Sequence, residues 1–283
     1  MNILSFLTFS IFAAESLISP LTSEYQTPIQ EVTKPDISFS ELAIPEVLGE
    51  ETVAEVTPSP TPSPTPKPVR HTRKSTMTIA LLGDSMMDTL GPNAPHLSSA
   101  LKKTYPATTF VIKNFGVGGT PIDSGIGRIP TIASINPDVI VLESFAYNVS
   151  GTTSQGEVDR HWLNLARAVD AIKNNLPNTK IVIAATIAPN SIRFGDGAPG
   201  IAFSSKDKQE RTDMIKKYIE TAIKFARSEH IPLADAYHAS LDNSGNGKLA
   251  LINSGDHIHY SDSGRALMGS KIAQAMIVNK LLE

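Results

Sequence analysis

From residue 76 onward the chain predicts an α/β fold, a three-layer αβα sandwich around a flavodoxin-like doubly wound sheet of about five parallel strands. Three observations carry this. Short continuous apolar runs recur along the chain, stretches with helical periodicity separate them, and polar and glycine residues cluster directly after the runs. Strands covered by helices on both faces read as unbroken apolar runs, because neither face meets water. The runs are Met77–Leu82, Thr109–Asn114, Val139–Leu142, Lys180–Thr186 and a weaker one at Ile231–Ala234. The clearest helix spans Glu157–Leu176, where Val158, Trp162, Leu165, Val169, Ile172 and Leu176 recur at spacings of three and four and share one face. That placement makes Trp162 a core residue. Two further helices are expected over Lys206–Ser228 and Ser263–Leu282. Five strands and about five helices suit a single domain of this length.

The preceding segment has a different character. Residues 15–56 carry nine acids against one lysine, with little apolar surface to offset the entropy of ordering, so disorder is expected. Thr57–Pro68 reads TPSPTPSPTPKP, with proline at every second position. Such a segment favours an extended polyproline helix and makes a stiff spacer of roughly 35–40 Å. Met1–Ala14 is apolar but shorter than a membrane-spanning helix requires, and it resembles the central region of a signal peptide without the usual positive flank. The expected organisation is therefore a signal-like segment (1–14), an acidic then proline-rich linker (15–75) and a folded domain (76–283), exported from the cytoplasm and with no integral membrane span.

Charge and composition exclude several classes of partner. The net charge of −3 arises in the linker; from Thr76 onward 19 acids face 20 bases. No basic stripe interleaved with aromatics is present, so nucleic acid is not an expected partner. With no cysteine, the chain has no disulfides, no lipidated cysteine anchor and no thiolate metal site.

The chemistry-bearing residues follow the apolar runs, at the edge where sites form in doubly wound sheets. Gly83-Asp84-Ser85 follows the first run and places a serine where strand turns into helix, close to backbone amides that favour developing negative charge. Asn114-Phe115-Gly116-Val117-Gly118-Gly119 follows the second; its glycines do not have the spacing of a dinucleotide-binding loop. Asn148 follows the third run. Before the last helix stands Asp256-His257-Ile258-His259, in which an Asp three residues before a His can hold the imidazole Nδ1 and leave Nε2 free to accept a proton. Histidines two apart in an extended loop point in opposite directions, which argues against a shared metal and leaves His257 to loop packing or solvent.

Together, in this order, these segments resemble the SGNH or GDSL hydrolase superfamily across Thr76–Glu283. The resemblance implies Ser85 as nucleophile, Asp256 and His259 as its triad partners, and an oxyanion hole made by the N–H groups of Ser85 and Gly119 and the side-chain amide of Asn148. No cofactor and no metal are implied. The chain departs from the family pattern around the third block, where Ala146-Tyr147-Asn148-Val149 replaces Gly-x-Asn-Asp, and after the nucleophile, where Met86 replaces Leu.

The expected function is hydrolysis of small acyl esters, acetyl foremost, on extracellular or cell-envelope carbohydrate by a monomeric enzyme. The loop Ala188–Ser205 lies at the same edge and could shape the pocket, with Arg193 placed to meet an anionic or sugar substrate. An acyltransferase with the same triad, a glycan-binding module on the same fold and a metal-dependent hydrolase using Asp256, His257 and His259 remain open from sequence.

Overall fold

The computed structural model describes residues 74–149 and 152–283. The signal-like segment, the acidic stretch and the proline-rich spacer lie outside the described residues. The elements run β1 (Thr76–Leu82), α1 (Ser85–Asp88), α2 (Pro95–Thr104), β2 (Thr109–Asn114), α3 (Ile122–Ala133), β3 (Val139–Glu143), α4 (Gln155–Asn175), β4 (Lys180–Ala185), α5 (Ser205–Ser228), β5 (Leu233–Asp235), α6 (Tyr237–Ser240) and α7 (Asp262–Val278). Two 3₁₀ turns, Ala146–Asn148 and Leu249–Leu251, complete them.

All strand pairs are parallel, in the order β2-β1-β3-β4-β5. This is the flavodoxin-type order, and the chain reverses its winding between β1 and β3, the point where such sheets open a crevice at their carboxyl edge. The central strands sort their side chains by the two-residue pleat. Ile79 and Leu81 of β1, Val139 and Val141 of β3, and Val182 and Ala184 of β4 face one layer with Leu97, Leu101, Met268, Ile272 and Met276 of α2 and α7. Ala80, Leu82, Ile140, Leu142, Ile181 and Ile183 face the other, against α3, α4 and α5. Each buried Leu or Ile contributes about 1.5–3 kcal/mol by leaving water, so these strands are held from both sides.

The strands expected from sequence are present, and their ends shift for local reasons. β5 begins at Leu233 because Pro232 has no N–H to give the ladder, although its carbonyl accepts from Ile183 N–H at 2.9 Å. α7 stops at Val278, short of the expected Leu282, where Lys280 enters the left-handed region (φ 53°) and turns Leu282 back into the core. α3 carries three poor helix formers, Gly125, Gly127 and Pro130, beside isoleucines that recur at spacings of three and four. It is helical because Ile122, Ile129 and Ile132 bury against the sheet, while Gly125 leaves room for Phe145, whose ring a Cβ there would meet at 2.5 Å. Trp162 packs at the edge of the second layer, edge-on to Phe225 at 5.3 Å.

Where α7 crosses α2, the backbone of Gly269 approaches Leu97 so closely that an added Cβ would lie 2.6 Å from the Leu97 nitrogen. Replacing an interior helical glycine with alanine ordinarily stabilises a helix by about 1 kcal/mol. Here overpacking outweighs that gain, because the obstructing atoms are backbone. Gly269→Ala is expected to lower stability by about 1–3 kcal/mol, seen as a lower denaturant midpoint at unchanged slope.

Candidate active site

β1 ends at Leu82 and the chain turns through Gly83 and Asp84 into the short helix α1, at whose first position Ser85 stands. The Asp84 carboxylate caps this helix by accepting from Met86 N–H at 2.8 Å. Met86 and Met87 are buried beneath it, so the turn is anchored from below while Ser85 stays partly exposed. Gly83 has no room for a side chain: a Cβ would lie 2.7 Å from Cβ of Glu143 on β3. The turn is thus pressed directly against the neighbouring strand.

The segment after β2 wraps over this turn. Asn114 Nδ2 donates to the carbonyls of Met87 (2.7 Å) and Gly91 (2.9 Å), its Oδ1 accepts from Gly116 N–H (2.9 Å), and Val117 N–H donates to Gly83 O (3.2 Å). Gly116 is required by close approach, since a Cβ there would fall 2.3 Å from the Asp88 nitrogen. A Cβ on Gly118 would sit 3.7 Å from that of Ser85, which places this loop beside the serine. Gly119 follows at φ 70° and is exposed. Among the described residues, the N–H groups of Ser85 and Gly119 have no hydrogen-bond partner.

Beyond β3, Phe145 takes a left-handed conformation (φ 53°) and opens the 3₁₀ turn that carries Asn148. The amide of Asn148 donates to the second oxygen of Asp84 at 2.8 Å. An amide nitrogen has two hydrogens, so one is anchored and the other remains available. Ala146, which stands at the family's glycine position, is fully buried in a cluster with Phe194 and Tyr237, and Tyr147 ties its hydroxyl to Ile187 O at 3.0 Å. The altered third block is therefore accommodated by packing, and the Asn148 side chain is oriented by Asp84.

The turn before α7 brings the remaining pair together. Asp256 Oδ2 lies 2.8 Å from His259 Nδ1, while its Oδ1 accepts from the Ile258 and His259 amides at 2.9 and 3.1 Å. Partial burial pushes the Asp256 carboxyl up, but the hydrogen bonds from His259 and the two amides outweigh it and hold the group below its usual value. His259 lies near enough to the serine turn that a positive charge gained by its ring favours ionised Asp84. No hydrogen bond joins Ser85 Oγ to the ring among the described residues; in enzymes such contacts often tighten only around substrate. His257 points elsewhere, its Nδ1 2.7 Å from the carbonyl of Asp196, so it fastens the loop between β4 and α5. Arg193 is held within that loop by Asp196 at 2.8 Å, and Lys208 also pairs with Asp196.

Three charged groups that sequence reasoning did not single out for the site lie beneath it. Asp84 and Glu143 are fully buried, and Glu143 Oε2 accepts from Asp84 N–H at 3.2 Å. Burial pushes both carboxyls up; the neighbouring Asp84 charge pushes Glu143 further, so that Glu143 lies well above the usual range. Arg128 of α3 faces both, donating to Phe115 O at 2.8 Å and Gly83 O at 3.0 Å, and so staples the serine turn to the loop after β2. Glu143 had a faint signal, as a charged residue ending an otherwise apolar run. Arg128 had none, since it is a lone charge between glycine and isoleucine on a helix whose apolar residues, Ile122, Ile126, Ile129 and Ile132, mark only the buried face.

Known folds and families bear on this arrangement. A lipase/acylhydrolase from Enterococcus faecalis is 19% identical, with a TM-score of 0.51 over 72% of this chain and 96% of that one. A putative GDSL-like lipase from Parabacteroides merdae is 20% identical, with a TM-score of 0.54 over 74% and 98%. An acetylxylan esterase from Geobacillus stearothermophilus is 15% identical, with a TM-score of 0.51 over 71% and 94%. These likenesses show a shared fold. No curated protein matches this chain in sequence. The model of the GDSL-like lipase/acylhydrolase family matches residues 81–267, more than half of the chain and all the segments just described. The chain belongs to the GDSL-like lipase/acylhydrolase family and is a carboxylic ester hydrolase.

Proposed function

We propose that the chain cleaves small acyl esters, acetyl foremost, on extracellular or cell-envelope carbohydrate, through an acyl-enzyme on Ser85. The observation that carries the catalytic part is the 2.8 Å contact between Asp256 and His259 Nδ1 at the sheet edge that also carries Ser85. With Nδ1 engaged, Nε2 is the nitrogen that accepts a proton. Ser85 Oγ attacks the ester carbonyl as His259 takes its proton, and Asp256 stabilises the resulting imidazolium. The tetrahedral oxyanion is met by the N–H groups of Ser85 and Gly119 and by the free hydrogen of the Asn148 amide. His259 then returns the proton to the leaving alcohol, and water, deprotonated by the same ring, releases the acid.

The preference for a small group is supported by a pocket of about 130 Å³ beside Asn148, lined by Phe145, His161 and Tyr218 together with the charged Asp123, Glu157 and Arg160. A space of this size with charged walls suits a short polar group rather than a long lipid chain. The carbohydrate and the location outside the cytoplasm are supported by the signal-like residues 1–14 and the spacer Thr57–Pro68, which suit an enzyme reaching across to a polymer, and a monomer suffices for the chemistry.

A panel of aryl esters of increasing acyl length and of acetylated sugars, run on wild type beside Ser85→Ala, tests this reading. The wild type is expected to prefer acetyl, and Ser85→Ala to stay folded, lose hydrolysis and no longer react with a fluorophosphonate probe. Preference for long acyl chains would remove the acetyl assignment, and activity retained in Ser85→Ala would remove the nucleophile. Asn148→Ala is expected to lower kcat about 10²–10³-fold with little change in KM; a change in KM alone would show that Asn148 binds substrate without holding the oxyanion.

A further inference from the structure

The buried acid pair under the serine turn has a feature that packing alone does not require. Glu143 is fully buried at the end of β3, where an apolar residue would fill the space without the cost of desolvating a carboxyl. It is nevertheless held on both oxygens: Oε2 accepts from Asp84 N–H at 3.2 Å and Oε1 accepts from Ser144 Oγ at 2.8 Å, beside the equally buried carboxyl of Asp84. Asp84 is the hub that caps α1 through Met86 N–H and holds the Asn148 amide.

We propose that Glu143 is a positioning residue for ester hydrolysis: by holding the backbone N–H of Asp84 it fixes the residue whose carboxylate aims the Asn148 amide at the oxyanion. This rests on the role given to Asn148 above.

Two carboxyls in contact in a buried site do not both ionise. Burial pushes the Asp84 carboxyl up as well, but Asp84 accepts hydrogen bonds from Met86 N–H and the Asn148 amide, which favour its ionised form. Glu143 is pushed up by burial first and by Asp84 second, and holds the proton. The other titratable groups around it are Arg128 from α3, Tyr147 from the turn after β3 and Tyr260 from the segment before α7. As a neutral acid, Glu143 sets no second charge beside Asp84 and leaves the amide grip intact. As pH rises through its elevated pKa, a second negative charge appears beside Asp84 and disturbs that grip, and turnover is expected to fall on the alkaline side.

The test compares the full chain with Glu143→Gln and Glu143→Leu on p-nitrophenyl acetate from neutral to alkaline pH, with thermal melts confirming folding. Gln keeps a donor and an acceptor but does not ionise, so kcat is expected within about threefold of wild type at neutral pH, without the alkaline decline. Leu is expected to lower kcat about 10²-fold at nearly constant KM, as misplacement of a catalytic group does, and to add little further loss in an Asn148→Ala background. Wild-type kcat in folded Glu143→Leu, or an unchanged alkaline limb in Glu143→Gln, overturns the proposal. An infrared arm stands apart from activity: at neutral pH the wild type should show the carbonyl stretch of a protonated buried carboxyl, and Glu143→Gln should lack it. If wild type does not hydrolyse the ester but the band behaves as expected, the functional reading fails and the protonated Glu143 stands. A wild type without the band, or a band that persists in Glu143→Gln, removes Glu143 as the proton holder whatever the activity.

Discussion

The Asp84 carboxylate is the interaction on which the site depends. One oxygen ends the helix that begins at Ser85 by taking the Met86 amide, and the other holds the side chain of Asn148. A single buried group thus sets the direction of the serine turn and of an amide brought from the next strand. Its own backbone N–H is held in turn by Glu143. Remove that carboxylate and two elements that meet only here lose their common reference. A buried charge normally carries a heavy desolvation cost, and it is tolerated at this point because several donors converge on it.

Convergence of that kind is possible because of strand order. β1 and β3 lie side by side at the centre of the sheet, and the chain leaves them toward opposite sides, β1 leading to β2 and β3 to β4. Their carboxyl ends open onto the same crevice, so Ser85 after β1 and Asn148 after β3 become neighbours without any contact in sequence. The segment after β2 closes from one side, stitched by Asn114 and Arg128 to the serine turn. The turn before α7 contributes Asp256 and His259, and His257 joins that turn to the loop between β4 and α5 through the carbonyl of Asp196. The site is therefore assembled from loops, but each loop is fastened to a strand end or to another loop by hydrogen bonds that its own residues supply.

The crevice also separates its charges by depth. Asp256, partly exposed and paired with His259, is held below its usual pKa, whereas Asp84 and Glu143, fully buried, are pushed above theirs. Carboxyls of one chemical type thus take different protonation roles because their surroundings differ. A further consequence of burial is seen at His161, which burial lowers to about 4, so the imidazole beside the small cavity is neutral at physiological pH.

Much of the fold was legible from residue order. Apolar runs flanked by glycine and polar residues located the sheet, because strands covered on both faces cannot carry polar side chains in their interior, and the three-four periodicity from Val158 to Ile172 marked α4 for the complementary reason. The same punctuation put Ser85, the segment Asn114–Gly119 and Asn148 at the sheet edge, while the roles of Gly119 and Asn148 came from the family resemblance. The bond between Asp256 and His259 is local, three residues along one turn, and could be anticipated from spacing. Other features could not. Asn148 is aimed by Asp84, 64 residues away, and Asp84 is gripped by Glu143 at a separation of 59. Sequence by itself determined which residues reach the carboxyl edge, since that depends on local pattern. Tertiary structure alone decided how they are oriented and which carboxyl keeps its proton, because both depend on burial and on hydrogen bonds that exist only once β1 and β3 lie side by side.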